Sequence, residues 1–190
     1  MKYRVTGLVF GAALLGACSH AEFRKMMHGE PERRVRVASE SSAATYEKLR
    51  KLDDIFEAVA ARGTCNAGPR VKCVTLSSDW FRASRTPPRL GRVFVRDDRD
   101  VVVLSKNYWD ASHASNPAII GQVVNLGEKK YTVVGIIGEI AEGDVYLPWT
   151  PAGDSISIIA LLRPGVDLKK AQAATDALGA KVKLETYKAE

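Results

Sequence analysis

The chain has 190 residues, enough for one domain or one domain with a tail. Its 46% hydrophobic and 26% charged residues exclude a disordered, collagenous or low-complexity chain, and its single long apolar run, at the start, excludes a polytopic membrane protein. A net charge of +6 is too dilute for a dedicated nucleic-acid binder, and three His with three Cys leave little material for a metal site.

Lys2 and Arg4 precede an uncharged stretch from Val5 to Ala17, which stops at Cys18. As a helix that stretch reaches about 20 Å, short of the roughly 30 Å hydrocarbon core of a bilayer. It predicts a secretory signal peptide over residues 1–17, with an uncleaved anchor as the alternative. Leu15-Gly16-Ala17-Cys18 resembles a bacterial lipobox, in which the cysteine is lipidated and becomes the first mature residue. Ser19, not Asp, follows Cys18. By resemblance to lipoproteins of two-membrane bacteria, that implies transfer to the outer membrane and a periplasmic location.

Residues 18–32 are polar and read as a tether, and residues 33–190 as one domain. Basic residues from Arg24 to Arg36 outnumber Glu30 and Glu32; a solvated tether beside strand-like Val35-Arg36-Val37 explains them better than adhesion to anionic lipid. Ser41 and Ser42 can cap a helix from about Ala43 to Arg62. There Tyr46, Leu49, Leu52, Phe56, Val59 and Ala60 recur at spacings of three and four, and Gly63 supplies the stop. Cys65 and Cys73 flank the turn-rich Asn66-Ala67-Gly68-Pro69. In an oxidising compartment this pair is expected to form a disulfide, and with no second pair or nearby His it does not make a zinc site.

Val71 to Leu76 predicts a strand, Asp79-Trp80-Phe81 opens a helical turn, and Pro87-Pro88 ends it. Val101 to Leu104 is a β-branched run that suggests a strand covered on both faces. Ser105 caps a helix carrying Tyr108 and Trp109, with Trp109 expected as a core anchor. Val123 to Leu126 and Tyr131 to Ile137 flank Gly127-Glu128-Lys129-Lys130 as a hairpin. Further strands are expected at Val145 to Leu147, Ile156 to Leu162 and Val182 to Leu184, with a helix from Asp167 through Leu178 between the last two. The sum is a mixed α+β fold of about three helices and seven or eight short strands.

The residues from Val101 to Pro148 carry a resemblance. Leu104-Ser105, Trp109, Asn116-Pro117, Gly121, Gly127, Tyr131 to Ile136 and Pro148 follow in the order found in the periplasmic core domain of MacB-like ABC-transporter permeases. Trp80-Phe81, Leu90 to Phe94, Thr45-Tyr46 and the stretch from Leu162 to Ala173 extend it, so that residues 36–188 resemble that family. The resemblance implies a porter-like periplasmic domain that works by contact within an envelope transport complex. In the family the domain is inserted between transmembrane helices driven by a cytoplasmic ATPase. Here the chain ends at Glu190 without such a helix and without a Walker A motif. The expectation is therefore a domain carried on a lipid anchor, with the small β-rich subdomain of larger members reduced or missing.

The competing reading is an envelope hydrolase or other enzyme, which needs a nucleophile with a base, or paired carboxylates in a pocket. Asp53-Asp54 and Asp97-Asp98 are the close acidic pairs, the first splayed about 100° apart on a helix and the second in an exposed loop. Ser105 and His113 are held apart by two helical turns. The expectation is no catalytic residue, no cofactor, no metal, no nucleotide and no nucleic acid. A permease or another envelope protein is the expected partner, and the marked residues are Cys18 for lipid and Cys65 with Cys73 for a disulfide.

Overall fold

Val101, Val102, Val103 and Leu104 are all buried, which requires cover on both faces of their strand. The computed structural model, which describes residues 33–39, 41–138, 143–150 and 155–187, supplies that cover. The signal peptide, the lipobox with Cys18 and the tether lie outside the described residues.

The elements run β1 (Arg34–Val37), α1 (Ala43–Leu49), β2 (Phe56–Asn66), β3 (Lys72–Leu76), α2 (Trp80–Ser84), β4 (Pro88–Gly91), β5 (Val101–Ser105) and α3 (Lys106–His113). A 3-10 turn (Pro117–Ile119), β6 (Val123–Leu126), β7 (Lys129–Ile137), β8 (Val145–Pro148), β9 (Ser157–Leu162), α4 (Leu168–Ala177) and β10 (Leu184–Thr186) follow. The fold is mixed α+β, with four α-helices and ten strands among the described residues. The strands form one sheet in the order β10-β1-β9-β2-β3-β8-β5-β7-β4, with β6 added to β7. Pairs β3–β8 and β5–β7 are parallel and the others antiparallel.

One half of the sheet (β10, β1, β9, β2) comes from the two ends of the described chain. The other half (β3 to β8) comes from its middle. The halves join along β2 and β3, where Arg62 to Asn66 pair with Leu76 to Lys72. One face carries a continuous cluster across both halves, with Trp80 and Phe81 of α2 and Phe94 packed on Ala60, Leu76, Val103 and Leu161. The opposite face carries two clusters. Tyr46 and Leu49 of α1 and Ala171 of α4 cover Val35, Val59 and Ile158, while Tyr108 and Trp109 of α3 cover Val102, Leu104 and Ile136.

Three caps form as their residues predict, each satisfying a backbone N–H that the helix itself leaves unpaired. Ser42 accepts from Thr45 N, Ser105 from Tyr108 N and Asp167 from Lys170 N.

The expected helix from Ala43 to Arg62 is corrected. It stops at Leu49, the chain turns, and Phe56 begins the longest strand. Phe56, Ala58, Val59, Ala60 and Ala61 are buried, because this part of β2 pairs with β9 and has core clusters packed on both faces. A run that is apolar apart from Glu57 contains spacings of two, three and four alike, so periodicity alone does not separate a buried strand from a helix. Gly63 is not a helix stop but a strand residue; a Cβ there would lie 2.8 Å from the Thr75 hydroxyl and 3.6 Å from the Trp149 ring.

Smaller differences follow from pairing. The hairpin turn is only Gly127-Glu128, since Lys129 and Lys130 pair with Leu126 and Asn125. The closing strand is Leu184–Thr186, set by its register against β1. Pro88 to Gly91 is a strand despite its leading proline because it lies at the sheet edge, where a missing donor costs little.

Candidate interaction site

Among the described residues, several side chains able to do chemistry serve the fold. Ser105 is buried, and its hydroxyl accepts from Tyr108 N at 3.1 Å. His113, at the far end of α3, packs edge-on to Tyr108 at 5.8 Å between ring centroids. Asp53 and Asp54 are exposed in the turn before β2, not on a helix. Asp98 holds Arg92 through two hydrogen bonds, at 2.5 and 3.0 Å, and accepts from Val95 N at 2.8 Å. The bonded Arg92 guanidinium holds the Asp98 carboxyl below the usual aspartate range. Asp97 beside it is exposed.

Tyr146 donates to Gly143 O at 3.0 Å, and burial pushes its phenol up to about 12. Trp109 is half-buried on the α3 side and donates through Nε1 to Asn116 O at 2.9 Å, so it clamps a surface turn more than it anchors the core. Among the described residues no three of His, Cys, Asp and Glu gather as metal ligands. Cys65 and Cys73 sit opposite each other in the β2–β3 register and are joined as a disulfide, with Cα atoms 5.0 Å apart.

A concave feature lies where the two halves of the sheet meet. It is a groove of about 170 Å³ between α1, the ends of β3 and β8, and the loop from Phe94 to Arg99. Small-molecule pockets usually enclose about 300–1,000 Å³, so this groove is nearer the size of a single side chain. Its walls are aromatic and cationic. Tyr46 meets Trp149 edge-on at 4.9 Å, and the Arg50 guanidinium stands 5.4 Å from the Tyr46 ring centre. Arg96 and Arg99 line the loop side. Glu47 is the carboxylate in the lining, and it already faces Arg50 at 3.4 Å.

The loop is held in shape from within. Arg99 donates to the carbonyls of Arg96 and Asp98 at 3.0 and 2.8 Å, and Asp98 fixes Val95 N. Burial raises the Tyr46 phenol's pKa, opposed by a hydrogen bond with Ser77.

None of these groove residues stood out in the sequence as a site. They come from four separate stretches between residues 46 and 150, and no short motif joins them. Tyr46 is legible there as an apolar position in a helix and, with Thr45, as part of the family resemblance.

Known proteins place this architecture. No curated protein matches the sequence. The periplasmic region of MacB from Actinobacillus actinomycetemcomitans is similar in structure, with a TM-score of 0.68 at 15% identity, covering 81% of this chain and 88% of that one. The extracellular domain of the noncanonic ABC-type transporter YknZ from Gram-positive bacteria is similar at a TM-score of 0.59 and 13% identity, over 82% of this chain and 100% of that one. At these identities the likeness is one of fold. The sequence model of the MacB-like periplasmic core domain matches residues 6–178, a range that begins inside the N-terminal apolar run. The chain therefore belongs to the family of MacB-like periplasmic core domains.

Proposed function

We propose that the protein is a non-enzymatic, lipid-anchored domain on the periplasmic face of the cell envelope, acting by protein contact in a transport complex. The observation that carries this reading is the family match over residues 6–178, joined to a fold shared with the external regions of two transporters. The placement of side chains supports it: Ser105, Asp98 and Tyr146 are each committed to a cap, a loop clamp or a buried hydrogen bond. Function then lies on surfaces. Residues 1–17 act as signal, Cys18 takes the lipid, residues 18–32 form the tether and residues 33–190 the working domain, with the outer membrane as the destination.

The test is made in cells. A fatty-acid probe should label the wild type and not Cys18→Ala, and cross-linking should capture a permease or another envelope protein through the folded domain. Capture that survives in Cys18→Ala but is lost when residues 22–32 are deleted would move the contact to the basic tether and sink the reading. So would a hydrolytic activity of the purified protein that a point mutation abolishes. One observation favours a second reading of the N-terminus. Because the family match starts at residue 6, the apolar run is retained as an anchor in that reading. The mass of the mature protein separates the two, since cleavage before Cys18 removes residues 1–17 while transfer from a lipid donor to Cys18 adds acyl chains.

A further inference from the structure

We propose that the groove between α1 and the Phe94–Arg99 loop docks an acidic segment of a partner protein that carries an apolar side chain. The proposal rests on the contact reading above and names the chemistry of the partner.

Charge is the first argument. Arg50, Arg96 and Arg99 line the groove against Glu47, which Arg50 already occupies. A guanidinium is weakly hydrated and meets a carboxylate through two parallel N–H bonds, so arginine suits recognition of Asp or Glu side chains. The second argument is the apolar surface between these cations. Val95 is 58% exposed on the loop, one of few large hydrophobic side chains left open, and the Tyr46–Trp149 pair stands near it in the same groove. Arginine beside Tyr and Trp is the composition enriched where binding energy concentrates.

Size and stiffness give the third argument. About 170 Å³ receives one apolar side chain while flanking carboxylates reach the rim. The loop is pre-shaped by Asp98 and by the main-chain bonds of Arg99, which lowers the ordering cost of docking. An anionic bilayer is the other candidate for a basic surface. A flat headgroup layer would meet only the rim and leave the concave aromatic wall unused, so the acidic peptide fits better.

The experiment uses the full chain in detergent micelles. The probe is a fluorescein-labelled hexapeptide, Glu-Asp-Leu-Glu-Asp-Glu, followed by anisotropy. Its controls are a version with Lys at every acidic position, a version with Ser for Leu, and phosphatidylglycerol vesicles. Saturable binding of the acidic peptide is expected, at least tenfold weaker with R96E/R99E and weaker with V95D or with Ser for Leu. Raised salt should weaken it too, since exposed charges are screened. R96Q, a milder change on the exposed loop, should lose about threefold and keeps the test valid if the double reversal misfolds.

Equal affinity for wild type and R96E/R99E would overturn the proposal, as would equal binding of the Lys peptide. Vesicle binding that depends on Arg96 and Arg99, without saturable peptide binding, would reassign the groove to lipid and also overturn it. If R96E/R99E still cross-links the same cellular partner, the groove is wrong while the contact reading stands.

Discussion

Cys65 and Cys73 face each other directly across the β2–β3 pair, and their disulfide lies on the line where the two halves of the sheet join. Only five register pairs hold the halves together along these strands. The link closes a separation of 8 residues, for which restriction of the unfolded chain contributes about 2–3 kcal/mol. Cys65→Ser/Cys73→Ser should therefore lower unfolding stability by about that amount. Urea denaturation with and without reductant checks it: the wild type should fall to the level of the variant on reduction, and the variant should not respond. Mass spectrometry of unreduced protein should find both thiols blocked.

The close approach of β4 to β7 gives a second prediction. Gly91 and Gly135 are register partners, and a Cβ on Gly135 would stand 2.0 Å from Arg92 O. The obstacle is backbone, which cannot swing aside. Gly135→Ala should destabilise by about 2–3 kcal/mol, as an overpacked core position does. Gly138→Ala, with no atom of the described residues within 4 Å of the new methyl, should shift the denaturation midpoint little. Equal effects of the two would contradict the register.

The Arg92–Asp98 clamp makes stability depend on pH in a defined direction. Asp98 has a carboxyl pKa below its usual value, mainly because it accepts hydrogen bonds from Arg92. A depressed aspartate stabilises the fold above the unfolded value of about 3.9, and that contribution disappears as pH falls through the lower folded value. Arg92 is half exposed, with 51% of its side chain accessible, so solvent limits the term to about 1 kcal/mol or less. Asp98→Asn should be less stable than the wild type at pH 6 by that margin, and the two should converge as the pH is lowered toward 2. Melting curves across that range decide it. The acidic-peptide affinity of the groove should also fall in Asp98→Asn, because the loop bearing Val95 and Arg96 loses its fastening.

Two tryptophans should respond differently to truncation. Trp80 is buried at 6% exposure under the continuous face of the sheet, so Trp80→Ala should cost about 3–5 kcal/mol. Trp109 is half-buried and holds Asn116 O. Trp109→Ala should leave a folded protein, weaker by about 1–2 kcal/mol on the scale of apolar area uncovered. Its amide exchange should quicken around Asn116 first. Global unfolding of Trp109→Ala would return that residue to the role of core anchor.

By itself the sequence determined the local elements whose physics is local. Ser42, Ser105 and Asp167 cap their helices because a side-chain oxygen two or three residues away is enough to satisfy a free N–H. The run from Val101 to Leu104 announced a doubly covered strand, and the order of its strand, helix and turn residues was sufficient to mark the family. The stretch from Phe56 to Arg62 was decided by tertiary structure. Its alanines favour helix in isolation, yet pairing with Leu162 to Ser157 of β9, with core clusters packed on both of its faces, makes it a strand. The groove was decided the same way. Arg50, the loop carrying Val95, Arg96 and Arg99, and Trp149 lie far apart in the chain and meet because β3 and β8 end at the same rim of the sheet. Contacts between distant segments depend on register and topology, which no window of neighbouring residues contains.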